Sequence, residues 1–436
     1  MSQRVLRDYL LPALMLAGLV LGGSSSGGYW ANMVLQLLAL AALAALLIQA
    51  RALALSRPLL LIAGAIILLP VLQLLPLPPA LWTALPGRAE IAQGFDLAGM
   101  PKPWLPLSLD GDATLTALTA LFPPLAVLLV AAQASPRGRQ LALLSVLGVA
   151  LVSVGLGLLQ RLSGNGAALQ PYELTNPGMA TGLFANRNHF ATLLLAAIPC
   201  AALAIPLRAA LLPVCAGLAG GVLLTGSDAG ALLVLPMLAV SLLYVRPLWP
   251  LGRGVLMTGV VLATVVAGLL GLWQLQRSLA EPPAGGAEQH RPAMIATTLT
   301  AARDYLPLGS GAGSFQRIYP RYEDPARADP EYRNHAHSDY AEVALEYGLP
   351  GLVIAIAVLA WWGSGLLHAG GGAARAGGAA LGVILLHSAV DYPLRTAAMA
   401  MLAALATVLL DRAAEPDQPD STPARDQGRD ALRISL

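Results

Sequence analysis

Twelve apolar stretches, most of them nearly long enough to cross a bilayer, constrain this chain more than any other feature. They lie at roughly 9–23, 29–50, 58–77, 115–134, 139–160, 189–207, 210–226, 229–245, 254–276, 350–368, 374–390 and 394–410. About 20 mostly apolar residues span the hydrocarbon core, so lipid rather than water is the solvent these runs require. Composition agrees: 56% of the residues are hydrophobic and 11% charged, against about a quarter charged in soluble domains. That excludes an ordinary soluble enzyme. A net charge of +2 offers no positive field for a nucleic acid. The 44 glycines and 33 prolines interrupt apolar runs without forming a period. Cys200 and Cys215 both lie inside apolar runs and imply no disulfide framework. The expected fold is an all-α polytopic membrane protein.

The first run follows Arg4 and Arg7, in the manner of a signal peptide. A second span follows at once, and Gly22-Gly23-Ser24 is a weak cleavage site, so the run is expected to stay as an anchor. Orientation follows from basic residues, because cytoplasmic loops keep the excess of Lys and Arg. With the N-terminus inside, the even-numbered connections carry Arg51 and Arg57, Arg137 and Arg139, Arg208, Arg246 and Arg253, then Arg375. None of these connections contains Asp or Glu. Both termini are then expected inside, with 411–436 a disordered, polar cytoplasmic tail.

The organisation expected is nine spans over 1–276 with external loops at 78–114 and 161–188, a large external loop at 277–349, and three spans over 350–410. The large loop holds seven Arg and ten acidic residues. Its net charge of −3 means that anion binding there must depend on individually placed arginines.

Three segments carry chemistry. The best runs Tyr332-Arg333-Asn334-His335-Ala336-His337-Ser338-Asp339-Tyr340 and continues through Glu342, Glu346, Gly348 and Pro350. Asn334 is a suitable N-cap and Gly348 with Pro350 a suitable stop. This spacing predicts a helix with His337 in its first turn, where the positive end of the dipole keeps imidazole neutral and available as a base. His337, Ala341, Ala344 and Gly348 would then share one face. The plain alternative is that both histidines only decorate an interfacial helix. A metal site on His335, His337 and Asp339 is disfavoured, because ligands two apart on a helix diverge and no further ligand assists.

Upstream, Arg291 and Arg303 precede a glycine cluster, Gly309, Gly311 and Gly313, where backbone could approach a phosphate or sugar closely. A plain turn reads equally well there, and no Lys-Ser/Thr of a nucleotide loop accompanies it. The third segment is Asn186-Arg187-Asn188-His189 at the mouth of span 6, costly so near hydrocarbon unless it pairs or faces a cavity. Arg187 could hold a diphosphate. His387 and Asp391 stand four apart, where an internal polar brace competes with a catalytic role.

Taken together and in order, these residues resemble the bacterial O-antigen ligase and O-antigen polymerase superfamily. The resemblance rests on Arg291, Pro307 to Gly311 with Gly313 and Phe315, His335 to Tyr340, Gly348-Leu349-Pro350-Gly351, Gly182 to Phe190, Leu107 to Asp110, and His387-Ser388 with Asp391 and Pro393-Leu394. It implies a GT-C-like membrane glycosyltransferase of the bacterial inner membrane, acting on the periplasmic side without cofactor or metal. The donor implied is a glycan on undecaprenyl diphosphate, and the acceptor is lipid A-core or another glycan. His337 matches the proposed general base and Arg291 the loop arginine thought to hold the diphosphate. Arg187 and Arg303 are further candidates for that anion. His335, Asp339, Tyr340, Asn186, Asn188, His189, His387 and Asp391 are the expected acceptor-side or supporting residues.

One departure stands out. The family usually has Ser-Arg-Gly between spans 7 and 8, where this chain has Ser227-Asp228-Ala229-Gly230. The ligase reading is preferred, with joining of lipid-linked repeat units as the alternative. A polysaccharide transporter is the rival from another class, although polarity concentrates in one external loop rather than at mid-membrane.

Overall fold

Alanine and leucine, both strong helix formers, dominate the apolar runs; some prolines open a helix, such as Pro58 and Pro136, while Pro12, Pro70, Pro199, Pro213 and Pro236 lie inside one. The computed structural model describes residues 3–25, 28–49, 55–163, 169–173, 176, 178–246, 291–323 and 333–411. The expected span at 254–276, the loop residues up to 290 and the tail from 412 lie outside the described residues.

The helices before the loop at 161–188 are α1 (Gln3–Leu21), α2 (Tyr29–Gln49), α3 (Arg57–Gln73), α4 (Pro79–Trp82), α5 (Ala89–Leu97), α6 (Gly111–Thr119), α7 (Phe122–Gln133) and α8 (Pro136–Leu162). After it come α9 (Arg187–Ala204), α10 (Arg208–Thr225) and α11 (Asp228–Ala239), the last continued by a π-helical turn over Val240–Val245. Beyond the undescribed stretch follow α12 (Arg291–Asp304), α13 (Phe315–Ile318), α14 (Asp339–Leu367), α15 (Gly372–His387) and α16 (Ala397–Leu410). Seven helical segments among the described residues are long and apolar enough to cross a membrane, and α3, α15 and α16 are shorter apolar helices. Exposed leucines such as Leu37 and Leu61 on α2 and α3 suit a lipid surface.

Helix α9 is the axis of the bundle. It packs against α8, α10, α11 and α15, and nearly every one of its side chains is buried. Its start is fixed by Asn186, whose side chain accepts from the Asn188 amide at 2.8 Å, satisfying one of the orphan donors of a helix start. The polar cluster Asn186 to His189 is thereby carried to the end of the most buried helix.

The part outside the long helices is small. Strand β1 (Pro76–Leu77) pairs antiparallel with β2 (Leu105–Pro106) and closes the loop between them. Helix α12 packs on α14, and Met294, Ala301, Tyr305, Phe315, Ile318 and Leu345 form a second hydrophobic core there.

Two expectations about α14 need correction. Its N-cap is Ser338, which accepts from Ala341 N at 3.3 Å, so His337 lies outside the helix and not in its first turn. The shared face of His337, Ala341, Ala344 and Gly348 therefore does not exist. The chain needs a tighter entry than Asn334 would give, because Asp339 N is anchored to the carbonyls of Ser388 and Asp391 at 2.9 and 3.2 Å. Gly348 does break the helix, at φ 59° and ψ −144°, and a second helical stretch continues through Pro350 to Leu367.

That break is clasped by the glycine cluster. The Gly311 amide donates to Glu346 O at 2.9 Å, Ser310 N to Leu345 O at 2.9 Å, and Leu349 N to Pro307 O at 2.8 Å. Gln73 completes it, donating to Glu346 O at 2.8 Å and accepting from Ala312 N at 2.9 Å. The glycines admit neighbouring protein closely: a Cβ on Gly311 would sit 2.1 Å from Ser108 Oγ. This part of the loop is a structural clasp holding α14 against the loop before α6.

Candidate active site

Four elements converge at one end of α9: its own N-terminus, the turn after α15, the segment 333–338 and the N-terminus of α12. Asp391 stands where they meet. It is 1% exposed, and its amide donates to His387 O at 2.9 Å, one turn past the last residue of α15.

Each element gives Asp391 a partner. His337 Nδ1 lies 3.5 Å from Oδ1, and His189 Nε2 lies 3.7 Å from the same oxygen. On the other oxygen, Asn188 Nδ2 donates at 2.6 Å and Arg291 Nη1 approaches to 3.9 Å. Burial by itself would hinder ionisation, but the two imidazoles and Arg291 hold the carboxyl well below its ordinary value. Asp391 is a carboxylate. Its charge facing Nδ1 favours the Nδ1–H tautomer of His337 and leaves the lone pair on Nε2.

His337 itself keeps 19% of its side chain exposed. Its pKa is lowered, chiefly by burial, with Asp391 pulling the other way. The ring is therefore neutral near pH 7, as expected, but burial rather than a helix dipole does it. The residue has φ 52°, a left-handed conformation costing about 1–2 kcal/mol in a residue with a Cβ. Such strain persists only where the surroundings over-determine it.

Tyr392 is the aromatic centre that the sequence reading missed. Its ring lies 4.4 Å from that of His335, 4.8 Å from His189 and 5.0 Å from His337, centroid to centroid. Its hydroxyl donates to Asn334 Oδ1 at 3.3 Å.

Behind the histidine segment lies a buried charge cluster, also missed. Arg395 Nη1 bonds Glu346 Oε2 at 2.9 Å and lies 3.6 Å from Glu342 Oε1, while its Nε lies 3.6 Å from Asp339 Oδ1. The guanidinium thus stands among three carboxylates, each buried. Asp339 also accepts from Ser388 Oγ at 2.7 Å. A signal was present in the sequence: Arg395 falls inside an apolar run, and ionisable residues at such places are rare and paired.

The expected residues divide clearly. His337, Arg291, His189, Asn188 and Asp391 come together. Arg187 is 6% exposed, and Arg291, Asp228 and Asp391 are among the charges acting on it. His335 and Asp339 belong to the charge cluster behind. Asn186 caps α9, Tyr340 donates to Leu385 O at 2.9 Å, and His387 Nδ1 pairs with Thr192 Oγ1 at 2.6 Å, so these three brace the site. Arg303 is not brought in. It is exposed in the last turn of α12, about 18 Å along that helix from Arg291. Asp228 is the exposed first residue of α11, where a negative charge complements the helix dipole.

Among known families, the O-antigen ligase model matches residues 213–356, which contain Arg291, the glycine clasp and the histidine segment. That match supports the O-antigen ligase superfamily for this chain. No curated protein matches it. The match supports activity of the ligase or polymerase type in general, with a lipid-linked glycan and a glycan acceptor as partners, and the apolar helices suit a multi-pass membrane protein.

Proposed function

We propose that this chain is a periplasmic-side O-antigen ligase of the bacterial inner membrane. It takes a glycan from undecaprenyl diphosphate and places it on a sugar hydroxyl of lipid A-core. The observation that carries this reading is that His337 and Arg291 face opposite oxygens of Asp391, at 3.5 and 3.9 Å. A base and an anion-binding cation are thus held side by side.

The step is a single displacement with inversion. His337 Nε2 removes the proton as the acceptor oxygen attacks the donor's anomeric carbon, and the bond from that carbon to the diphosphate breaks. General base help of this kind contributes about 10²–10⁴ in rate. Arg187 and Arg291 stabilise the charge gathering on the diphosphate, to which a guanidinium fork is matched. These arginines supply the charge stabilisation, and the step is written without a metal ion. The alternation of arginines between spans supports twelve crossings with both termini cytoplasmic, which puts the loop at 277–349 in the periplasm.

Purified protein given lipid-linked glycan and lipid A-core should form the joined product, and His337→Ala should abolish it while expression stays normal. Near-normal activity in that variant would refute the base assignment. A lengthened lipid-linked glycan in place of the lipid A-core product would reassign the chain as a polymerase.

A further inference from the structure

His337 carries a strained backbone in a short segment, so something must hold the segment on both sides. After His337, Asp339 N is tied to Ser388 O and Asp391 O. Before it, the segment makes two contacts with one side chain: His335 Nδ1 donates to Glu342 Oε1 at 2.8 Å, and Ala336 N donates to Glu342 Oε2 at 3.0 Å. Glu342 is 1% exposed and sits one turn into α14, so it projects back over the helix start, as helical side chains do.

We propose that Glu342 is a positioning residue: its two oxygens clamp His335 and Ala336, and so set the angle at which His337 presents Nε2 to the acceptor. Arg395 is the other half of the device. It stands against Glu342, Glu346 and Asp339 at 3.6, 2.9 and 3.6 Å, so the clamping carboxylate keeps its charge and place. A buried carboxylate with both oxygens committed cannot be replaced by an amide without turning one acceptor into a donor. Facing Ala336 N, that donor would push the segment away; facing His335 Nδ1, it would force that ring into its other tautomer. Glu342 is too buried to meet substrate, and it acts through His337 alone. The cluster also explains why His335 and His337 differ: His335 is committed to Glu342 and to the Tyr392 ring, and only His337 faces the reaction.

The inference rests on His337 being the base, so the test must separate the two. Wild type, Glu342→Gln, Glu342→Asp and His337→Ala are purified and assayed with lipid-linked glycan and lipid A-core. Diethyl pyrocarbonate labelling of His337 across pH, read by mass spectrometry, is followed alongside in the first three. Displacing a base by about an ångström costs roughly 10²-fold. Glu342→Gln should therefore lose about that in kcat, keep the donor KM within about twofold, and shift the pH dependence of His337 labelling. Glu342→Asp keeps the charge but is one methylene shorter, and should lose at least tenfold in kcat. It also serves as the test where Glu342→Gln does not fold. Wild-type kcat in either variant, or reduced kcat with unchanged His337 labelling, overturns the clamp. An active His337→Ala would instead overturn the base on which the clamp acts.

Discussion

His337 Nδ1 faces Asp391 Oδ1 across 3.5 Å, longer than a hydrogen bond, with Nδ1 buried and otherwise without a bonding partner among the described residues. Pairs of this kind tighten when substrate arrives and the ring takes a proton. In the proposed mechanism Asp391 orients the base, and its charge stabilises the imidazolium that forms.

The pH dependence follows. Activity needs neutral His337, so it is full above the ring's pKa and lost below it. Burial lowers that pKa beneath 6.5, which puts the acid limb of kcat/KM below pH 6.5. Asp391 acts in the opposite sense, raising the pKa. Asp391→Asn should therefore move the limb further towards acid while lowering kcat at neutral pH by roughly 10²-fold or more. A limb that stays put or moves to higher pH would remove Asp391 from the proton step.

Much of the architecture was legible because lipid imposes a strong rule. Each expected span within the described residues coincides with a helix, although span 4 is divided into α6 and α7 and span 8 ends in a π turn. The break at Gly348 was visible too, since glycine with a nearby proline is a local signal. The site was only partly visible. Its histidines and arginines sit in polar segments between spans, but their meeting point does not. Asn188 and Asp391 are 203 residues apart in sequence, and nothing local says they bond. Tyr392 looks like any interfacial aromatic until three imidazoles are found around it. His337 was placed in a helix because the periodicity from Ala341 onward extends smoothly backwards. The tertiary anchor at Asp339 N ends the helix later than Asn334 would.

The clasp around the helix break can be tested through stability. Gly311 has φ 109°, and a Cβ there would lie 2.1 Å from Ser108 Oγ. Gly311→Ala should cost about 2–4 kcal/mol, from left-handed strain together with overpacking. Gly94 in α5 has open space around it, so Gly94→Ala should stabilise by about 0.5–1 kcal/mol through helix propensity. Thermal unfolding in detergent distinguishes the two. Equal effects would mean that the clasp yields easily.

The two ends of α12 make a paired test of donor binding. Arg291 lies 3.9 Å from Asp391, whereas Arg303 is exposed at the far end. A hydrogen bond to a charged group is worth about 1.5–3 kcal/mol. Arg291→Ala should then raise the donor KM or lower kcat/KM by at least tenfold. Arg303→Ala should leave both within about twofold. A large loss in the Arg303 variant would bring that residue back to the diphosphate.

Asp228 stands where the resemblance leads one to expect an arginine, and it is among the charges acting on Arg187. Its carboxylate attracts that guanidinium and repels an incoming diphosphate. Arg187 begins α9 and Asp228 begins α11, and Asp228 itself is exposed, so salt should screen the repulsion. Asp228→Asn is therefore expected to lower the donor KM by about two- to fivefold at low ionic strength, with the gain fading as salt is added. Steady-state kinetics at low and high ionic strength read both effects. A raised donor KM would instead show that Asp228 is needed to hold Arg187 in its binding pose, and that the acid is part of the donor site.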